Sequence, residues 1–203
     1  MTTTPGPVGA TTAGAPTLEA ISAASAYCDF RAYVADLAAY NSGRLIGAWI
    51  GLDGLDADEI RTAVSAVLAA SPFPGAEEYA VHDWDGLPAT FGEWPDWDAV
   101  SAYTAAMVEL DESEREAFRA FLDNTGDSAS ADTLEAFRDA YRGCYSCGAD
   151  YAAELADELG AVPADVSWPL SCIDWDAAWR ELELGGDNWS HRGSHGLHVF
   201  SNY

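Results

Sequence analysis

The run FRAYVADLAAYNSGRLIGAWIGLDGLDADEIRTAVSAVLAA, residues 30–70, holds the clearest local instructions in the chain. FRAYVADL (30–37) alternates well enough for a strand, with Phe30, Tyr33 and Val34 supplying β propensity. AAYNSGR reads as a loop with an Asn-Ser-Gly turn, and LIGAWIGL (45–52) as a second strand. Asp56 with Glu59 three residues on is a capping box, and Ile60, Val64, Val67 and Leu68 follow at helical spacing, so a helix should run to about Ala70. SPFPG breaks it, and EEYAVHDW (77–84) is a third strand. Residues 27–86 are therefore expected to form an N-terminal ββαβ unit.

Outward from that unit the character changes. Residues 1–26 are rich in Thr, Ala, Gly, Pro and Ser with a single charge, Glu19, and read as a disordered tail with a weak helix over 17–26. From Pro95 the pattern is helical: 95–110, then 111–123 with Asp111 as cap and Glu114 at its third position, then 131–141. A fourth helix, GADYAAELADELG, should end with Gly160 as the glycine beyond its cap. Another should run from Asp174 to about Leu182, and GLHVFSN (196–202) is a closing strand. The expected class is α+β, an elongated chain of two to three small lobes. They are the N-terminal α+β domain (27–86), a helical middle (87–143) and a mixed α/β C-terminal lobe (144–203).

Composition bounds the function. The 203 residues carry 34 acidic side chains against nine arginines and no lysine, a formal net charge of −25. Nearly half the residues are apolar and 12% are aromatic, so most of the chain should fold. A sequence pI near 4.1 argues against direct binding of nucleic acid or an anionic membrane, both of which need basic patches. No apolar run is long enough to span a bilayer and the first residues lack a secretory pattern, so a cytoplasmic protein is expected.

The charge is also unevenly placed. Residues 62–114 contain no basic side chain and eleven acids: Glu77, Glu78, Asp83, Asp85, Glu93, Asp96, Asp98, Glu109, Asp111, Glu112 and Glu114. Residues 143–179 contain none and seven acids: Asp150, Glu154, Asp157, Glu158, Asp165, Asp174 and Asp176. Four of these, Asp150, Glu154, Asp157 and Glu158, fall at i, i+4, i+7 and i+8 on one face of a helix whose other face holds Tyr151, Ala152, Leu155 and Leu159. They cover ~12 Å of axis, or ~4 Å per charge, against ~3.4 Å per phosphate along one DNA strand. A charge run on one helix is usually just a solvated face. Two long stretches without a base, added to it, point to a negative binding surface for a basic partner.

The run RAYVADLAAYNSGRLIGAWIGL (31–52), the capped helix, EEYAVHDWDG (77–86), GADYAAELADELGAVP (148–163) and IDWDAAWRELEL (173–184), in that order, resemble the ArdA antirestriction family over roughly 27–200. The resemblance implies an α+β DNA mimic, an elongated homodimer often carried by mobile genetic elements. It would occupy the DNA-binding groove of type I restriction–modification enzymes and involve no cofactor or metal. The family's short antirestriction signature should fall near Leu155–Pro169. Trp168, Leu170 and Trp175 form a candidate dimer patch. A dimer of about −50 matches the charge of roughly 85 Å of duplex, at ~1.7 Å per charge. The chain departs from the family pattern in its N-terminal tail, in Cys144 and Cys147, and in its His-containing final segment.

Other chemistry carries less weight. Cys144-x-x-Cys147 with His191, His195 and His198 lacks the second ordered ligand pair of a zinc site, and Cys28 and Cys172 read as small core residues. Carboxylate pairs such as Asp83/Asp85 and Asp174/Asp176 arise by chance among 34 acids. Trp97, Trp175 and Trp179 sit at core-compatible helical spacing. The alternative function is a salt-adapted cytoplasmic enzyme using carboxylate acid/base chemistry, which should unfold in low salt where a mimic should not.

Overall fold

A computed structural model describes residues 16–163, 165, 167, 168 and 171–202. The fold is α+β with a helical middle, and the chain divides between Thr104 and Ala105 into two compact units. Of the stretch 1–26 expected as a tail, residues 1–15 lie outside the described residues, and Leu18–Ala24 form helix α1, capped by the Thr17 hydroxyl.

The first unit is built on a three-stranded antiparallel sheet, β1 (Arg31–Asp36), β2 (Gly47–Gly51) and β3 (Tyr79–Asp85), in the order β2-β1-β3. Helix α3 (Ala57–Ala70) begins at the expected capping box, with Asp56 and Glu59 each accepting from the other's backbone N–H. Its Ile60, Val64 and Val67 are buried, as are Ala32, Val34, Ala48 and Ile50 on the strands it packs against. The loop expected after β1 begins as a short helix, α2 (Leu37–Asn41), before turning at Ser42-Gly43. The cause is Asp36, which caps α2 through the N–H groups of Ala38 and Ala39 and accepts the Ser71 hydroxyl at 2.6 Å. That carboxylate is fully buried and fully used. A five-residue helix is too short to show a period, which is why the sequence reads as a loop. Helix α4 (Trp97–Val108) follows a 3-10 turn at Ala89–Phe91, and Trp97, 4% exposed, donates its indole N–H to Tyr79.

The second unit has helices on both faces of a sheet. Its elements are α5 (Glu112–Thr125), α6 (Ala131–Ala140), β4 (Tyr141–Tyr145), α7 (Gly148–Glu158), α8 (Trp175–Gly185), β5 (Asn188–Arg192) and β6 (Leu197–Ser201). The antiparallel order β4-β6-β5 puts β6 in the centre, and all five of its residues are buried. Alternation splits them between two cores. Phe200 meets Phe121 and Phe137 of α5 and α6 and stacks on Trp189 at 3.9 Å. Leu197 and Val199 join Tyr151, Ala152 and Trp179 of α7 and α8. Helix α5 starts at the second expected capping box, Asp111 with Glu114. Strands β4 and β5 are not evident in the sequence: β4 continues α6 without a break and bulges at Gly143, and NWSHR shows no alternation. Cys172, expected in the core, is exposed, because it lies in the segment between α7 and α8.

Candidate functional site

Of the eighteen acids singled out by the base-free stretches, seventeen are exposed and Glu114 is half-buried. Seven belong to the first unit. Asp83 and Asp85 alternate along β3 on the sheet face that also carries Tyr33 and Arg31, their cross-strand partners. Glu77 and Glu78 precede β3, Glu93 and Asp96 follow the 3-10 turn, and Asp98 lies in the first turn of α4.

The other eleven belong to the second unit. Glu109, Asp111, Glu112 and Glu114 surround the start of α5, where Asp111 and Glu114 are committed to the capping box. Asp174 caps α8, Asp176 lies in its first turn, and Asp165 lies in the segment before it. The most regular group is on α7. Asp150, Glu154, Asp157 and Glu158 are all exposed, while Tyr151 and Ala152 are buried on the opposite face. Leu159 leaves that apolar stripe and is 72% exposed, because the helix ends at Glu158 and Gly160 turns the chain away in a left-handed conformation at φ 61°. Burial first, then the charge of Glu154 at 3.2 Å, push the Tyr145 hydroxyl up to about 12.

Arginines from outside the base-free stretches partly neutralise some of these carboxylates. Arg31 pairs with Asp85, Arg61 with Asp98 at 2.5 Å and Arg138 with Glu109 at 2.8 Å. These contacts join residues 54, 37 and 29 positions apart, so a linear charge count misses them. Sequence reading also passes over Asp132, Glu135 and Asp139, three exposed acids at i, i+3 and i+7 on α6, because Arg138 interrupts them. The helical period was the signal that could have found them.

Of the candidate dimer patch, Trp168 is 80% exposed, Leu170 lies outside the described residues, and Trp175 packs against its own unit's core beside Trp179. The family signature expected near Leu155–Pro169 also falls in part on residues outside the description.

One acid has a different role. Glu116 on α5 accepts from the backbone N–H of Ser194 at 2.9 Å and lies 3.3 Å from His195 Nδ1 and 3.2 Å from His198 Nε2. Its carboxylate thereby holds the β5–β6 turn, and the fully buried His198 bridges on to Tyr141 at 3.1 Å. Ser194 Oγ and Glu116 approach the same nitrogen of His195, which is not the geometry of a nucleophile relay. Among the described residues, no group of three or more His, Cys, Asp or Glu is arranged to hold a metal ion. No helix of the described residues is long and apolar enough to cross a membrane.

The Ser194 N–H, followed by the His198 and His195 imidazoles, holds the Glu116 carboxyl at about 2, below its ordinary 4.5 and against an opposing push from burial. A carboxyl depressed on folding stabilises the native state above its unfolded value and loses that contribution as pH falls through the folded one. Glu116→Gln should therefore lower the urea midpoint at pH 6, with the gap to the parent closing between pH 4.5 and about 2. A gap that stays constant over that range would show that the carboxylate charge is not what holds the turn.

A family model described as antirestriction protein (ArdA) matches residues 32–195, which leaves α1 outside the match. No curated protein matches the chain.

Proposed function

The chain belongs to the ArdA antirestriction family, and from that premise we propose that it is a B-DNA mimic. It occupies the DNA-binding site of type I restriction–modification enzymes and so protects incoming mobile DNA. The observation that carries this reading is the α7 face, where four carboxylates stand exposed in a row on a helix fixed by its buried opposite side. A cleft built to hold phosphates by arginines and lysines recognises charge at that spacing without needing bases to read. Such an inhibitor acts by binding and not by catalysis. It would block enzymes of different sequence specificity alike, and it works in the cytoplasm where restriction occurs. We also propose that it acts as a homodimer, which doubles the length of the carboxylate array.

The direct test is restriction of unmodified phage or plasmid DNA in cells that express the chain. Protection against several type I systems is expected, and undiminished restriction by all of them would overturn the reading. The variant carrying Asp150→Asn, Glu154→Gln, Asp157→Asn and Glu158→Gln should keep its fold, since none of the four is buried. It should bind the enzyme on the order of 10- to 100-fold more weakly, as four screened charge pairs contribute a few tenths to 1 kcal/mol each. Titration of the variant against the purified enzyme, with circular dichroism as the fold control, makes that comparison.

A further inference from the structure

The N-terminal helix α1 lies outside the stretch that carries the family likeness, yet it is bonded into the first sheet. Among the described residues, strand β2 is an edge of that sheet, paired on one side only, with β1. Leu45–Leu52, which contains β2, is eight residues without a charge or a proline. Folded proteins ordinarily protect an edge strand with charge, proline, a bulge or a cover, because its outward N–H and C=O groups otherwise pair with another strand. The bulge in this sheet falls between β1 and β3 and leaves β2 regular. The cover remains, and the α1 segment supplies it at two of the strand's outward amides.

The outward amides of β2 are those of Gly47, Trp49 and Gly51, since Leu52 N–H already points to Phe30 on β1 and alternate residues share a direction, and the last two meet the α1 segment. Ser22 Oγ accepts the Trp49 N–H at 3.0 Å and Ser25 Oγ accepts the Gly51 N–H at 2.8 Å. Two serine hydroxyls, Ser22 on α1 and the buried Ser25 at its C-cap, thus take the place of a neighbouring strand at those two amides. The hold is slight. Helix α1 has seven residues, none of them buried, and helices so short are marginal alone. Beside it is an open apolar cleft of about 300 Å³, lined by Ala20, Ile21 and Ala24 on α1 and by Ile50, Ala63 and Ala66 below.

We infer that α1 is a releasable guard over a strand-pairing edge, and that the occupant of the edge, once α1 lifts, is β2 of a second copy of this chain. Two GAWIG strands related by a two-fold axis present the same surface to each other, as an isologous contact requires. The strand itself carries no charge, so two chains of −25 each can pair along it without a carboxylate in the paired segment. This contact strengthens with salt, as the repulsion between the remaining charges is screened. The inference does not depend on the proposed restriction target.

The test uses the full chain with Ser22→Ala and Ser25→Ala. Amide exchange at Trp49 and Gly51 is expected to accelerate about tenfold or more, with Ala48 and Ile50 unchanged, because only the outward amides lose their acceptors. Sedimentation at about 0.5 M salt is expected to show a species twice the parent's mass. Adding Trp49→Lys, which places a charge on the edge, should remove that species and leave the fast exchange in place. Ile21→Asp, which lifts α1 while keeping both serines, should give the same exchange and mass changes as the serine pair. Unchanged exchange at Trp49 and Gly51 overturns the guard. Fast exchange without added mass means the bared edge takes a different strand or none, and overturns self-pairing. Added mass that survives Trp49→Lys places the contact elsewhere and overturns it equally.

Discussion

Raising salt from about 50 to about 200 mM should weaken the proposed binding of the chain to a type I restriction–modification enzyme by on the order of 10- to 100-fold. DNA bound through six to ten phosphates loses about 10³ to 10⁵ in affinity over that range, because its condensed counterions are released on binding. A folded protein carries no such condensed layer, so its carboxylates respond through screening of several exposed pairs and the slope is shallower than that of DNA. The arginine pairs of Asp85, Asp98 and Glu109 matter here in a limited way: exposed ion pairs are themselves screened and contribute at most about 1 kcal/mol each. Titrations of the purified enzyme with the labelled chain at the two salt concentrations give the slope directly. An affinity that does not move would mean that apolar contact, and not charge, holds the complex, and electrostatic mimicry would fail. The four-residue α7 variant should show a shallower slope as well as a weaker midpoint, since it has fewer charges to screen.

The largest effect on the fold is expected at Phe137. Its ring is 1% exposed and lies 5.2 Å from Phe118, 5.8 Å from Phe121 and 5.1 Å from Tyr141, with Phe200 of the central strand at 6.3 Å. Phe137→Ala removes the ring on which those four converge and leaves a cavity that close-packed neighbours only partly fill. Such truncations cost about 3–5 kcal/mol. Set against a native stability of about 5–15 kcal/mol, that is enough to unfold much of the second unit at moderate temperature. Urea denaturation followed by near-ultraviolet circular dichroism measures it, and Phe137→Leu should cost clearly less because more of the volume is kept. A loss under about 1 kcal/mol for the alanine variant would mean that this aromatic cluster is not the core of its unit.

What the sequence disclosed and what it hid divide by distance along the chain. The capping boxes at Asp56/Glu59 and Asp111/Glu114 are i, i+3 relations, and both helices begin where those residues place them. The carboxylate face of α7 is likewise a matter of helical period. The features that went unread join remote residues. Strand β4 exists because β6, more than fifty residues later, pairs with it. The Arg31–Asp85 pair spans 54 positions and the Glu116 contacts span 78 to 82. Neither Arg31 nor Glu116 has a local pattern announcing its partner, and in a chain with 34 acids the acid that ties down a turn looks like all the others. The cover over β2 was hidden for a related reason: Ser22 and Ser25 are unremarkable in an Ala- and Ser-rich segment until the strand they serve is in place.

The position of β6 has a consequence for the order in which the molecule comes into being. All three strands of the first sheet lie before Thr104, so that unit has every element of its sheet early in translation. The second sheet is different. Its middle strand follows every other element of its unit in the chain, so α5, α6, β4, α7, α8 and β5 must all be made before either core has its shared wall. Until then Phe121, Phe137, Tyr151 and Trp179 lack the surface they close upon. On the ribosome the molecule therefore spends a period half-built, with a finished first unit followed by a nascent second one whose aromatic side chains await one five-residue strand.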